Sequence, residues 1–130
     1  MAQLNALLQA ALGTPLLRSL TEHSTDVIMI LDMETRIRFI NRTAAGISSE
    51  QVLGTRAYDW VSEDQHPAMR QCFEDALERR MGGRYDTVYT RNDGEILYFD
   101  SRVVPIIHDD VVLGLVLISS NITDNRKSVV

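Results

Sequence analysis

The sequence predicts an α+β fold: a five-stranded antiparallel sheet covered on one face by short helices and one long helix, with an N-terminal helical extension. Three observations carry this. Residues 82–121 read as a three-strand meander, in which turn residues separate runs of aromatic and β-branched side chains. Just before it, Met69, Cys72, Phe73, Ala76 and Leu77 recur at helical spacing within residues 62–81. Earlier still, residues 27–31 and 36–41 are apolar runs around the turn Asp32-Met33-Glu34-Thr35. Two strands, then helices, then three strands leaves the helices on a single face of one sheet.

From the N-terminus, Leu4, Leu7, Leu8 and Ala11 form one stripe of an amphipathic helix that Gly13 stops. Thr14-Pro15 restarts a helix carrying Leu16, Leu17 and Leu20. These leucines either cap the domain's own sheet or form a dimer interface, and an exposed stripe ahead of a core calls for a partner. Residues 27–31 are continuously apolar, as in a central strand. In the next strand Ile37 and Phe39 are expected to face in, with Arg36 and Arg38 in water. Asn41 is placed to N-cap a following helical patch through the amides of Thr43 or Ala44. Ser48 and Gln51 have capping-box spacing, with Gly54 closing that turn. Residues 58–61 make a third short piece.

The long helix is expected over 62–81, with Pro67 in its first turn and Gly82-Gly83 at its end. Asn92-Asp93-Gly94 joins the first two meander strands, since Asn and Gly tolerate positive φ. Along residues 96–107, Leu97, Phe99, Ser101 and Val103 share one face. His108-Asp109-Asp110 turns into 111–119, apolar enough to be buried on both sides.

Composition narrows the function classes. At 130 residues one domain is expected, with a core that needs no staples. A net charge of −5 argues against a nucleic-acid face. One cysteine forms no internal disulfide, and neither a membrane-length apolar run nor a basic signal start is present. A cytoplasmic protein, or a module of one, is expected.

Four segments together resemble the PAS (Per-Arnt-Sim) sensor family, from about Ser19 to Lys127. Residues 36–44 are similar to its second strand, ending in Asn41 with Ala44 shortly after. Val52-Leu53-Gly54 resembles its hydrophobe-hydrophobe-Gly element, and Arg91-Asn92-Asp93-Gly94 its R-x-D-G hairpin. Residues 114–127 resemble its last strand and D-I-T-E-R-K exit, although Asn121 stands where the family has Asp, which removes a charge available for pairing. The resemblance implies a cytosolic sensory or dimerisation module upstream of an output domain such as a histidine kinase or nucleotide cyclase. It divides the chain into an N-terminal extension (1–18), the module (19–124) and an exit linker (125–130), as a fragment of a larger protein. Asn121, Ile122, Thr123 and Asp124 are then the signal exit.

Cofactor chemistry finds little support. His66 precedes Pro67 at a solvated helix entrance, and the apolar stripe starts only at Met69, which disfavours haem. Cys72 lies mid-stripe, as a buried and inert thiol does, and lacks the Asn-Cys-Arg context of flavin photochemistry. His23, His66 and His108 are scattered without ligand spacing. Asp59, Asp86 and Asp100 are the carboxylates a small cone-shaped isomerase would use, but Asp86 and Asp100 lie on the polar phase of their strands. No catalytic residue is therefore assigned.

What remains is the space beneath the long helix. Met69, Cys72, Phe73 and Leu77 are expected to meet Leu97, Phe99, Leu115 and Leu117, with Trp60 closing one side. That space is either filled core or a pocket for a small ligand, oriented by Asn41, Tyr85, Ser101 or Ser119. A ligand sensor and a ligand-free homodimeric scaffold are the two readings carried forward.

Overall fold

The computed structural model describes residues 2–43, 46–91 and 93–123. Asp124 and the expected linker 125–130 lie outside them, as do Ala44 and Asn92.

Five strands, β1 (Val27–Leu31), β2 (Ile37–Ile40), β3 (Gly83–Thr90), β4 (Ile96–His108) and β5 (Val111–Asn121), form one antiparallel sheet in the order β2-β1-β5-β4-β3. The two most apolar strands, β1 and β5, pair with each other at the centre, where both edges are covered. The meander and the N-terminal hairpin flank them. The β4–β5 connection is a two-residue turn at Asp109-Asp110, with φ of 50° and 63°, the twist a tight hairpin needs.

The core lies on one face, where Leu31, Leu115, Leu117 and Val103 are at most 2% exposed. On it, α4 (His66–Arg79) packs across β3, β4 and β5. Its stripe is buried as expected, with Met69, Cys72, Phe73 and Ala76 all inside. Burying Phe73 alone contributes about 2–3 kcal/mol. Two short pieces, α3 (Ser49–Val52) and a 3-10 turn at Ala57–Trp60, complete the roof. The capping box forms as its spacing predicts: Ser48 Oγ accepts from the Gln51 amide, and Gln51 Oε1 from the Ser48 amide.

Four expectations need correction. The helix is shorter than 62–81, because Glu63–Gln65 is a separate 3-10 turn. Its end is set by Arg80, left-handed at φ 58°, rather than by Gly82-Gly83. The Arg80 and Met81 amides both donate back to Asp75 O, the second at 3.1 Å, and close the last turn. Arg80 is held by Asp110, through Nη1 to Oδ1 at 2.8 Å and Nη2 to the carbonyl at 2.6 Å.

Phe39 does not face in. The β1–β2 register slips between Ile30/Leu31, so Arg38 is an extra residue, and Ile37 and Ile40 both land on the core face. Phe39 turns to the other face, beside Leu8 and Leu12. The bulge is held by Asp32, whose Oδ2 accepts from Arg38 Nε at 2.7 Å.

β5 is buried on one face only. Its outer side is partly covered, and Val111 is 51% exposed. That outer side receives α1 (Ala2–Leu12), which lies against β5. Leu4 is 1% exposed and thus belongs to the chain's own core, whereas Leu7 and Leu8 are half-buried. On α2 (Pro15–His23), Leu16, Leu17 and Leu20 are exposed. Because α2 is continuous through Arg18 and Ser19, a boundary at 18 cuts a helix.

Asn41 has partners other than the expected cap, whose Ala44 amide lies outside the described residues. Its Oδ1 accepts from the Ile28 amide at 2.7 Å, and its Nδ2 donates to the carbonyls of Thr21 and Asp26 at 2.9 and 3.0 Å. It fastens the end of β2 to the start of β1.

Candidate functional site

Register builds the site. Val27, Ser119, Ser101 and Tyr85 form one continuous row across β1, β5, β4 and β3 on the core face. The row on one side of it, Met29, Leu117 and Val103, is apolar and leads into the packing beneath α4. On the other side Phe99 pairs with Thr87. Above these rows the roof passes from α4, which supplies Met69, to the shorter pieces, which supply Val52, Ala57 and Trp60.

Between this roof and the sheet is a half-enclosed cavity of about 150 Å³. Of the candidate pocket residues, Trp60, Met69, Tyr85, Phe99, Ser101, Leu117 and Ser119 line it. The other expected lining residues do not. Phe73 is plugged edge-on between Tyr58 and Tyr85, with ring centroids 5.5 and 5.8 Å away, and supports the wall from behind. Cys72 lies against Gly83, and a Cβ there would be 2.9 Å from its sulphur. Leu115 is wholly core, Leu77 packs against that core, Leu97 is half-buried opposite Tyr89, and Asn41 makes its three hydrogen bonds elsewhere. The hollow is therefore displaced from the helix bearing Phe73 towards the N-terminal hairpin.

That displacement brings in residues the sequence did not single out. Val27, Met29, Ile37 and Ile40 supply the floor, while Val52, Ala57 and Val61 supply the roof. The alternation of Val27 and Met29 with Leu31 was a usable signal for the first two. The bulge that adds Ile40 left none.

The polar groups are few and mostly neutral. Ser101 and Ser119 share a hydrogen bond of 2.8 Å, and Tyr85 is paired in register with Ser101. Burial pushes the Tyr85 phenol well above its usual range, so it remains a neutral hydroxyl at any physiological pH. Thr87, 7% exposed, also lines the cavity. Trp60 is turned by its Nε1–H donating to Thr55 Oγ1 at 2.8 Å. Arg42 stands exposed at the mouth.

The cofactor residues lie elsewhere. His66 Nε2 meets the carbonyls of Tyr58 and Val61 at 2.9 and 3.1 Å, tying the 3-10 turn to the start of α4. It is half-buried rather than solvated, and it does not line the cavity. Burial, then the neighbouring Asp75, raises the Cys72 thiol above its ordinary value, which keeps it protonated and unreactive. A volume near 150 Å³ fits one small ring; pockets for drug-sized ligands span roughly 300–1,000 Å³.

At the far end of β5, Asn121 Oδ1 accepts from the Thr123 amide at 3.0 Å and from its hydroxyl at 2.5 Å. Thr123 Oγ1 in turn accepts from the Tyr98 amide at 3.0 Å, and the Ile122 amide donates to Tyr98 O at 2.8 Å. The chain thus leaves the sheet fastened to β4, with a neutral carboxamide standing where a carboxylate was the family expectation.

Among the described residues, no helix is long and apolar enough to cross a membrane. Residues 21–127 match a family model described as PAS fold. No curated protein sequence matches the chain. Among solved structures, the chain is similar to the PAS domain of a protein from Colwellia psychrerythraea, at 21% identity and TM-score 0.70, covering 82% of this chain and 94% of that one. It is also similar to the PAS domain of an HTR-like protein from Haloarcula marismortui, at 19% identity and TM-score 0.63, covering 93% and 99%. An RNA-binding light-oxygen-voltage receptor superposes at TM-score 0.73 with 15% identity, covering 90% of this chain and 35% of that one. At these identities the structural likenesses bear on the fold alone.

Proposed function

The chain belongs to the PAS family, a family of sensory and interaction modules, and we propose that it works as the sensor of a larger cytoplasmic signalling protein. One small ligand occupies the cavity, and its occupancy is passed along β5 to Asn121, Ile122 and Thr123, then through Asp124 to an output domain. The observation that carries this reading is the hollow itself. A mostly apolar chamber of about 150 Å³, with the hydroxyls of Ser101, Ser119, Thr87 and Tyr85 on its sheet wall, has the makeup of a binding site rather than of a packing flaw. β5 joins chamber to exit directly: Ser119 lines the cavity, and Asn121 lies two residues on. Ligand binding can shift the exit only by as much as it prefers one arrangement of the sheet.

Native mass spectrometry of the freshly purified chain tests the reading. A reproducible bound mass is expected, and Ala57→Leu, which fills the chamber from the roof, should remove it while the melting temperature holds. A chain that is uniformly bare, and whose stability no small apolar molecule raises, would sink the proposal.

A second reading rests on different residues. The exposed leucines of α2 suit a homodimer, with or without a ligand in the chamber.

A further inference from the structure

The cavity's charge differs from that of the chain around it. The protein carries 18 acidic against 13 basic residues, yet among the described residues no carboxylate lines the chamber and Arg42 is its one cation. Among those residues, the hydrogen bond of this guanidinium is a long one, Nη1 to the Thr25 carbonyl at 3.4 Å. The salt bridges of the described residues use other arginines, at 36, 38, 79, 80, 84 and 91. Most of its five donors therefore have no partner among the described residues.

The chamber's walls narrow the choice further. The one tryptophan, one of the three phenylalanines and two of the four tyrosines line it, namely Trp60, Phe99, Tyr85 and Tyr89. Rings on several sides favour a flat ring between them, through edge and face contacts. A volume near 150 Å³ is that of a cavity that takes up benzene. Burial is graded: Ser101 is 1% exposed, Tyr85 and Ser119 are both 8%, and Arg42 is exposed. A guest that fills the chamber ends with its outer group beside the guanidinium, still partly in water. That position suits a carboxylate, which avoids the cost of full burial and gains a charge-assisted, planar partner. A phosphate would want more than one cation, and a polyol would leave the apolar floor unused.

We infer that the chamber takes a single-ring aromatic carboxylate, its ring between Trp60, Phe99 and Tyr85 and its carboxylate on Arg42. The deep hydroxyls of Ser101, Ser119 and Thr87 then read the opposite edge of the ring and favour a guest with a hydroxyl there. This assignment rests on the sensor reading above and adds the chemistry of the guest.

The test uses benzoate, its neutral isostere benzamide, and toluene, each titrated into the 130-residue chain. Calorimetry gives affinity, and the NMR shifts of the Met29 and Met69 methyl groups report entry into the chamber. Benzoate should bind about tenfold tighter than benzamide, the worth of one partly screened charged hydrogen bond. Arg42→Gln should erase that margin without moving the melting temperature or benzamide binding, and Arg42→Lys should restore part of it. If benzamide or toluene shifts the methyl groups while benzoate binds no better, or if Arg42→Gln leaves benzoate unchanged, the carboxylate assignment falls and the sensor reading stands. If none of the three moves either methyl group, both fall.

Discussion

Ser101 Oγ and Ser119 Oγ lie 2.8 Å apart on neighbouring strands, directly paired in register and both pointing under the helical roof. Two hydroxyls are thus placed in the middle of an otherwise apolar sheet face, beside the phenol of Tyr85. Each satisfies the other, so the wall is stable when empty, and each keeps acceptor capacity that a guest can use.

That mutual satisfaction predicts strong coupling. Ser101→Ala strands a buried hydroxyl on Ser119 and should cost about 1–2 kcal/mol. Adding Ser119→Ala removes the stranded group, so the double variant should be less destabilised than the two single costs combined. Urea denaturation of the four-member cycle measures this, and strict additivity would separate the two residues.

Asp32 predicts the response to acid. Burial alone would raise its pKa, but the amides of Arg36 and Glu34 and the Arg38 guanidinium outweigh that and bring it below the ordinary 3.8. A depressed carboxylate stabilises fully above its unfolded value and loses that contribution as pH falls through the lower folded value. Asp32→Asn should cost about 2 kcal/mol at pH 7, with a penalty that shrinks on acidification below 3.8. Thermal unfolding of both proteins between pH 2 and 7 reads the convergence, and curves that stay parallel would exclude this origin.

Gly114 is placed against a neighbouring backbone. A Cβ there would sit 2.2 Å from the Leu31 carbonyl oxygen, and neither strand has room to withdraw from the centre of the sheet. Gly114→Ala should destabilise by about 3 kcal/mol. Gly46→Ala, at φ 85° in open space, tests backbone strain without a clash and should cost about 1 kcal/mol. Chemical denaturation that ranks the two the other way would contradict the close approach.

The α2 leucines predict assembly. Leu16 and Leu20 are 72% and 61% exposed, so Leu16→Glu/Leu20→Glu should leave folding stability within about 0.5 kcal/mol. Sedimentation should show a dimer for the parent chain and a monomer for this variant, and a monomeric parent would remove the interface. A dimer that survives the pair of charges would move the interface elsewhere.

Much of this protein is written locally. Period-three-and-four spacing marked α4 and its buried face, and the capping pair Ser48 and Gln51 marked α3. The apolar excess of β1 and β5 put them at the centre, and Asp109-Asp110 and Gly94 mark reversals because few residues accept positive φ. All of these depend on residues within a few positions of one another, where sequence distance and spatial distance agree. The remainder was decided by parts of the chain far apart. Arg38 is extruded because Asp32 draws it in, and that one residue rotates Phe39 out and Ile40 onto the floor of the chamber. Arg80, left-handed at the end of its helix, meets Asp110 thirty positions on. Leu4 is buried because α1 lies against β5, whereas Leu16 on α2 stays exposed. Periodicity tells which side of an element is apolar, but a hollow exists only where two such sides fail to meet, and that depends on how the whole roof lies over the whole sheet.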